Sequence, residues 1–250
     1  MTGNALSPAA TALAQLAAAA SLATVLGRRG IPVLVLKGPP LQQRLFGTPA
    51  AYESVDVDLL VPPSSWAAAV AAARADGWAR LPAENALLWR LSRAVVLVRG
   101  GVTVDLHWGV HAGHVPARTF DRLTRALWSG ATARPDGLRE PLPESLFVYL
   151  AAHGAGHAFD HHPLAETLAA AAAQVRSWRE VELLAADCRL SRTVARGRAL
   201  AEGRDVPTGW FEPVLDGPAG AAWWAATWVA RGHFVPRPAR EALRARLRRR

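Results

Sequence analysis

The sequence is poor in cysteine, since Cys188 is the only one among 250 residues. A single thiol excludes an intramolecular disulfide and a zinc site built from several cysteines. Such usage is typical of a reducing compartment, so we expect a cytoplasmic location. Hydrophobic residues make up 51% of the chain, which excludes wholesale disorder and allows a sizeable core.

Lysine is equally scarce. Lys37 is the only lysine, and the other 28 of the 29 basic residues are arginine. It ends the apolar run 33–36 and precedes Gly38. Because a compact ammonium and a guanidinium fork differ in size and hydrogen-bonding geometry, we predict that position 37 needs lysine specifically.

Most of the chain carries little net charge. The formal charge is +9, but residues 237–250 contain seven arginines against the single Glu241, which leaves only about +3 for the other 236 residues. This distribution argues against a nucleic-acid-binding protein as a whole. The arginine-rich terminal helix is either solvated or contacts RNA, a membrane surface or an acidic partner.

Charged residues are absent from residues 2–27. This stretch is mostly alanine and no basic region precedes it, so it matches neither a signal peptide nor a membrane span. We expect a packed helix there and no membrane span.

The apolar spacing predicts two parts. Over residues 1–115, short strand-like runs alternate with helical patterns, and residues 94–98 and 102–108 form a predicted hairpin. Over residues 116–250, helical patterns separated by glycine and proline dominate. We therefore predict an α/β (α+β) fold, with a small mixed-sheet domain followed by an all-helical domain that ends in the arginine-rich helix.

Carboxylates interrupt two predicted strands. Asp56 and Asp58 lie within 55–61, and Asp105 lies within 102–108. Side chains two apart on a strand share a face, so the pair would present together, with Cα atoms roughly 6–7 Å apart. A buried, unpaired carboxylate costs several kcal/mol, and the usual compensation is a cation or a metal ion. The competing interpretation is a pair of solvated edge-strand aspartates.

If Asp105 lies beside the pair, the three acids favour a site for two divalent metal ions. Such ions form a clamp for in-line phosphoryl displacement, in which one activates the attacking oxygen and the other steadies the leaving pyrophosphate. Gly38, without a Cβ, lets backbone N–H groups approach phosphate oxygens. His107 shares the strand face of Asp105 and is predicted to contact the acceptor or the phosphates.

In combination, these segments resemble the nucleotidyltransferases of the DNA polymerase β-like superfamily, in particular an uncharacterised bacterial branch with a Leu-Lys-Gly turn. The resemblance covers roughly residues 25–110 and continues more weakly through His153. Its motifs are Leu-Lys-Gly-Pro-Pro-Leu at 36–41, Asp-Val-Asp-Leu-Leu-Val at 56–61 and Val-Asp-Leu-His-Trp at 104–108. It implies a nucleotidyltransferase-like domain over residues 1–115.

The resemblance also implies roles for the acids. Asp56 and Asp58 would bind both metal ions, Mg²⁺ or Mn²⁺. Asp105 would bind one of them and assist deprotonation of the acceptor hydroxyl.

Its implications for the nucleotide concern three other residues. Lys37 and Gly38 would lie near the triphosphate. Arg44 would substitute for a phosphate-binding arginine that relatives often carry shortly before the acidic pair.

The predicted function is metal-dependent transfer of a nucleoside monophosphate from a nucleoside triphosphate, such as ATP, to an unidentified small molecule, peptide or protein, with pyrophosphate release. The alternative is a catalytically weak or inactive domain that acts as a nucleotide-binding or regulatory module. Tyr52 and Glu53, which stand where relatives often place the arginine, favour that alternative. A paired-carboxylate glycosidase fits less well, because acids on one strand face do not flank a sugar groove.

Histidines recur at helical spacing. His153, His157 and His161 would share one helix face, and histidines four apart can bind zinc, although the glutamate of a hydrolytic zinc motif is missing. The other interpretations are a polar face at the active-site cleft and ordinary structural histidines.

Overall fold

The computed structural model describes residues 7–81, 93–110, 120–156, 159 and 163–206. The helices in chain order are α1 (Pro8–Gly27), α2 (Pro39–Phe46), α3 (Trp66–Ala75), α4 (Asp121–Trp128), α5 (Pro143–Gly156), α6 (Leu164–Ala172), α7 (Trp178–Asp187) and α8 (Ser191–Ala201), with a 3-10 turn at Pro63–Ser65. The strands are β1 (Val33–Lys37), β2 (Val57–Leu60), β3 (Ala79–Arg80), β4 (Ala94–Arg99), β5 (Val102–His107), β6 (Thr132–Ala133) and β7 (Leu138–Glu140). The mixed α/β fold expected from the sequence is confirmed.

All these strands form one mixed sheet in the order β3-β4-β5-β2-β1-β7-β6. The pairs β1–β7 and β2–β5 are parallel, and the other neighbours are antiparallel. Strand β2 is buried along its whole length, and β1 is buried except at its last residue. Such burial explains why both strands read as nearly continuous apolar runs.

The predicted hairpin is confirmed. Strands β4 and β5 pair from Ala94↔His107 to Arg99↔Val102, and both turn glycines, Gly100 and Gly101, have positive φ angles. The predicted arginine-rich terminal helix lies outside the described residues.

The sheet extends past residue 116, where only helices were expected. Strand β7 lies beside β1, with Val33 opposite Leu138 and Leu34 opposite Arg139. Strands β6 and β7 have two and three residues, too few for an alternating pattern to be visible in the sequence. The sheet thus takes strands from both sides of residue 116, and the division into domains at residue 115 stays a prediction.

Helix α1 begins after Ser7, whose Oγ accepts a hydrogen bond from the backbone N of Ala10 at 3.3 Å. By length and composition, it is the one helix in the described part of the chain that could span a membrane. In this structure its residues Ala19, Leu22 and Leu26 are buried in the hydrophobic core. The helix contacts α2, α3 and the central strands, so it forms part of the core of this fold.

Helix α5 is the centre of the helical layer. It is buried along most of its length and contacts α4, α6, α7 and α8. Helix α8 approaches α5 closely at Gly197. A Cβ added at this glycine would lie 2.8 Å from Cβ of Ala151. Close packing by glycine therefore holds α5 in place, and α5 forms one wall of the cleft described below.

Candidate active site

The two acidic strands lie side by side. Strands β2 and β5 pair in parallel, and the register places Asp58 opposite Asp105. Ligand atoms of Asp58, Asp105 and His107 all lie within 4.8 Å of one another. The structure thus brings together two of the three predicted acids and the predicted histidine; these three residues are called the acidic group below.

Asp58 is the most enclosed of the acids, with 4% of its surface exposed. Its Oδ2 lies 3.0 Å from Nζ of Lys37, and its Oδ1 lies 2.8 Å from Nε2 of His107. Burial by itself would raise the pKa of Asp58, but the charge of Lys37 and the hydrogen bond with His107 outweigh burial and hold the pKa below its ordinary value. The carboxylate is therefore ionised at neutral pH.

Lys37 ends β1 at a point where the register with β2 shifts, and it pairs there with Asp58. Burial would lower the pKa of its ammonium, but the charges of Asp58, Tyr149 and Asp56 raise it above the ordinary value. The only lysine of the chain is therefore a permanent cation directed at the central acid.

Asp105 is half-buried, and its pKa is shifted in the opposite direction to that of Asp58. Burial first, and then the negative charge of Asp58, raise the pKa of Asp105 to about 6. A raised carboxyl pKa is the expected result of burial together with a neighbouring anion. By formal charge, the acids Asp56, Asp58 and Asp105 outnumber Lys37, the permanent cation that acts on them.

His107 is 4% exposed, and its hydrogen bond fixes the direction of the Asp58 carboxylate. Its predicted contact with the acceptor or the phosphates stays a prediction. The observed contact favours an orienting role instead, because a hydrogen bond with a buried histidine holds the Asp58 carboxylate in one geometry.

Asp56 lies one residue before β2, whereas the sequence pattern placed it on the strand. Its carbonyl oxygen accepts a hydrogen bond from Oγ of Ser54 at 2.8 Å. Its side chain lies outside the acidic group, but its charge still raises the pKa values of Lys37 and Asp105. Asp56 therefore adds negative charge from the loop next to the site.

Gly38 connects Lys37 to α2 in a conformation that requires glycine. Its φ angle is 89°, and an added Cβ would lie 2.8 Å from the carbonyl oxygen of Asp56. Pro39 and Pro40, which follow, have no N–H, and the backbone N of Leu41 already donates to the Gly38 carbonyl at 3.0 Å. The turn therefore offers a phosphate fewer backbone donors than the sequence suggested.

Arg44 lies apart from the acidic group. Its guanidinium donates to Oε1 of Gln174 at 3.0 Å and to the carbonyl of Pro141 at 2.9 Å, and its Nε is 3.7 Å from Oε2 of Glu140. Arg44 is neither in the acidic group nor along the adjacent cleft, so the structure does not bring this predicted phosphate ligand to the other site residues.

A cleft of about 170 Å³ opens beside Lys37. Its lining comes from the β1–α2 turn, the loop before β2, and helices α5 and α6: Lys37, Gly38, Leu41, Tyr52, Glu53, Ser54, Val55, Asp56, Leu150, His153, Pro163, Leu164 and Thr167. The Tyr52 hydroxyl and the Thr167 hydroxyl lie 3.4 Å apart and link two of its walls. Of the predicted histidine face, His153 lines this cleft, while His157 and His161 lie outside the described residues.

Tyr149 was missed by sequence reasoning. It is 4% exposed, and its ring lies 6.1 Å from that of His153, one turn later on α5. Burial raises the pKa of its phenol, and the charges that act on it are those of Lys37, Asp58, Asp56 and Asp105. A signal was present, since Tyr149 is one of only two tyrosines in the chain and stands four residues before a histidine.

The donor set fits a divalent metal ion. Carboxylate oxygens are the ligands that Mg²⁺ and Mn²⁺ prefer. Asp58 and Asp105 present such oxygens from paired positions on the neighbouring strands β2 and β5. Burial first, and then the negative charge of Asp58, raise the pKa of Asp105, and such an ion would neutralise the negative charge.

Two solved structures resemble this fold. The solution structure of the antibiotic-resistance factor ANT(2'')-Ia superposes with a TM-score of 0.52 and 15% identity over 73% of this chain and 95% of that one. A crystal structure of ANT(2'')-Ia in complex with adenylyl-2''-tobramycin gives 0.48 and 14% over 70% and 97%. At such identities, the first likeness shows a shared fold.

No curated protein matches the sequence significantly. A family model described as "Uncharacterised nucleotidyltransferase" matches residues 1–203, which is most of the chain and includes the acidic group and the cleft. The chain therefore belongs to this family of nucleotidyltransferases, and nucleotidyl transfer is its class of activity.

Proposed function

We propose that this nucleotidyltransferase moves a nucleoside monophosphate from a nucleoside triphosphate to a hydroxyl group of an acceptor, with a divalent metal ion held by Asp58 and Asp105. The observation that carries the proposal is the register of β2 and β5, which sets two carboxylates side by side next to Lys37. Asp56, from the neighbouring loop, completes the set of acids that was predicted to bind two ions.

Mg²⁺ or Mn²⁺ at these carboxylates would supply the positive charge that phosphoryl displacement needs as charge develops on the phosphate oxygens. His107 contributes by holding Asp58 in one orientation through the 2.8 Å hydrogen bond. Removal of such an orienting partner typically lowers metal affinity or activity by about 10- to 100-fold.

Lys37 and Gly38 bind the triphosphate of the nucleotide. Lys37 places a permanent positive charge at the cleft, and Gly38, which packs against the Asp56 carbonyl, lines the same cleft beside it. The ammonium carries most of this role, because the two prolines after Gly38 donate no hydrogen bonds.

The Asp105 carboxylate accepts the proton of the acceptor hydroxyl. Carboxylates are among the side chains that take up a proton in general base catalysis. Its position opposite Asp58 places the base within the acidic group.

The acceptor enters the cleft that runs from Lys37 to α5 and α6. The walls combine apolar side chains with the hydroxyls of Tyr52 and Thr167 and the imidazole of His153. Such a lining suits a small polar molecule that carries hydroxyl groups. We place the reaction in the cytoplasm, in agreement with the single cysteine.

A nucleotide-binding or regulatory module with weak activity is the second candidate. It is favoured by the engagement of both Asp58 oxygens, one by Lys37 and one by His107, and by the distance of Arg44 from the acidic group. In this case metal-dependent nucleotide binding would occur without transfer.

The test uses the full-length protein with each α-labelled nucleoside triphosphate, Mg²⁺ or Mn²⁺, and a fractionated pool of hydroxyl-bearing small molecules. We expect pyrophosphate release and a labelled adduct with the wild type and with the control Glu140→Gln, and neither with the double variant Asp56→Asn/Asp58→Asn. Release that survives the double substitution contradicts the proposal. Metal-dependent binding without an adduct selects the second candidate.

A further inference from the structure

We propose that Lys37 is an exchangeable counter-ion, whose ammonium neutralises Asp58 until a divalent metal ion binds and then moves to the triphosphate. This inference rests on the proposed metal-dependent function and deepens it. It gives the only lysine of the chain two positions, one at each stage of substrate binding.

The first position is the observed one. Nζ of Lys37 lies 3.0 Å from Oδ2 of Asp58, while Oδ1 is bonded to His107. Asp58 is 4% exposed, so water screens charges there only weakly. A metal ion at this carboxylate and an ammonium in contact with the same oxygen repel each other strongly, so binding of the ion displaces the ammonium.

The second position lies in the cleft. The Lys37 side chain keeps 27% of its surface exposed and lines the cleft together with Gly38. A flexible four-carbon stem lets an ammonium move between neighbouring anions without a change of the backbone. Pro39 and Pro40 donate no hydrogen bonds, so a phosphate bound at this turn depends on the ammonium.

The exchange explains why lysine, and not arginine, occupies this position. A guanidinium binds a carboxylate with two parallel hydrogen bonds and would hold Asp58 in competition with the metal ion. An ammonium makes a single point contact and releases it more readily. In a chain whose other 28 basic residues are arginine, this difference is a physical reason for the exception.

The test measures binding of Mn²⁺ alone, without nucleotide, to the full-length protein by electron paramagnetic resonance of the free ion. We expect Lys37→Met to bind Mn²⁺ about tenfold more tightly than the wild type, which corresponds to about 1.4 kcal/mol, because the competing cation is removed. Lys37→Arg should bind no more tightly than the wild type. The control Arg93→Met removes a cation 2.6 Å from Oδ1 of Asp121, outside the acidic group, and should leave Mn²⁺ affinity unchanged.

A second readout is thermal stability. Mn²⁺ should raise the melting temperature of Lys37→Met more than that of the wild type, because the variant leaves Asp58 without its ammonium until the ion binds. At saturating Mn²⁺, the KM for nucleotide should increase in the same variant, since the phosphate contact is lost. Lys37→Gln serves as the second variant if Lys37→Met folds poorly.

The outcomes separate the two proposals. If the wild type binds Mn²⁺ and Lys37→Met binds it equally or more weakly, the exchange is wrong and the proposed function stands. If Arg93→Met gains as much Mn²⁺ affinity as Lys37→Met does, the loss of any positive charge explains the gain, and the exchange is wrong. If neither the wild type nor any variant binds Mn²⁺, the metal-dependent function and the exchange both fail.

Discussion

Two clusters of charged side chains lie on opposite sides of β1, and they differ in the ratio of cations to anions. On the β7 side, Arg134 contacts Asp136 at 2.9 Å and Glu140 at 2.7 Å, and Arg44 lies 3.7 Å from Glu140. This group, called the arginine cluster here, has two cations for two anions. On the β2 side, Asp56, Asp58 and Asp105 share Lys37 as their nearby permanent cation.

The difference separates a structural cluster from a functional one. Arg134 also donates to the carbonyl of Pro40 at 3.2 Å, so the arginine cluster ties the start of α2 to the sheet with its charges neutralised. On the β2 side the three acids outnumber Lys37, and the charge of Asp58 adds to the effect of burial in raising the pKa of Asp105. Charge excess of this kind is destabilising by itself and is typical of sites that bind a cation.

The largest effect is expected from Asp58→Asn. Loss of the central acid should lower nucleotidyl transfer about 10³-fold, since a catalytic metal ion contributes several kcal/mol to the transition state. The matched change in the arginine cluster, Glu140→Gln, should alter the rate by no more than about twofold. Initial rates of pyrophosphate release measure both, and similar losses in the two variants would remove the distinction between the clusters.

Gly38→Ala should produce the next largest effect, on folding. The new Cβ would lie 2.8 Å from the Asp56 carbonyl and would hold a side chain at φ 89°, so we expect about 2–3 kcal/mol of destabilisation. Gly47→Ala is the control, because Gly47 also has a positive φ of 73° but open space around it; it should cost only about 1 kcal/mol. Urea denaturation compares the two, and equal costs would show that the contact with Asp56 is unimportant.

Arg134→Ala should destabilise the protein without affecting the metal site. The variant leaves Glu140 and Asp136 without their main partner, which costs about 2 kcal/mol for half-buried, charge-assisted bonds. Mn²⁺ affinity should stay within about twofold of that of the wild type, because the acidic group lies across β1. A large fall in Mn²⁺ affinity would indicate that the clusters are coupled.

The smallest expected effect concerns pH. The pKa of Asp105 is about 6 in the folded protein and near 3.9 in an unfolded chain, so the folded state binds more protons between these values. Stability of the metal-free protein should therefore fall as pH rises from about 4 to 6, with Asp105 contributing about 1 kcal/mol after allowance for partial exposure. Subtracting the profile of Asp105→Asn isolates this contribution, and an unchanged slope in the variant would contradict the raised pKa.

Sequence reasoning found the parts of the site that lie on strongly patterned strands. Asp58 and Asp105 were visible because an acid within an apolar run is costly, and Lys37 was visible because it is the only lysine. Asp56 was placed on β2, but the strand begins one residue later, since strand ends are set by pairing with neighbours. Strand β7 went unnoticed because three residues carry no readable period.

Tertiary contacts decided the rest. Arg44 was a candidate for phosphate binding until the fold brought Gln174, 130 residues away, and Pro141 to its guanidinium. Tyr149 belongs to the site because the fold places its phenol within reach of the charges of Lys37 and Asp58. The hydroxyls of Tyr52 and Thr167 lie 3.4 Å apart although 115 residues of sequence separate them. No local sequence pattern predicts contacts between residues so far apart in the chain.

The sequence by itself determined the mixed α/β class, the hairpin and the acids on β2 and β5, because these follow from periodicity and from the cost of burying charge. Only the tertiary structure decided which cation faces which acid. That choice depends on register, on the approach of α5 and on the shape of the cleft, and each of these is a property of elements packed together.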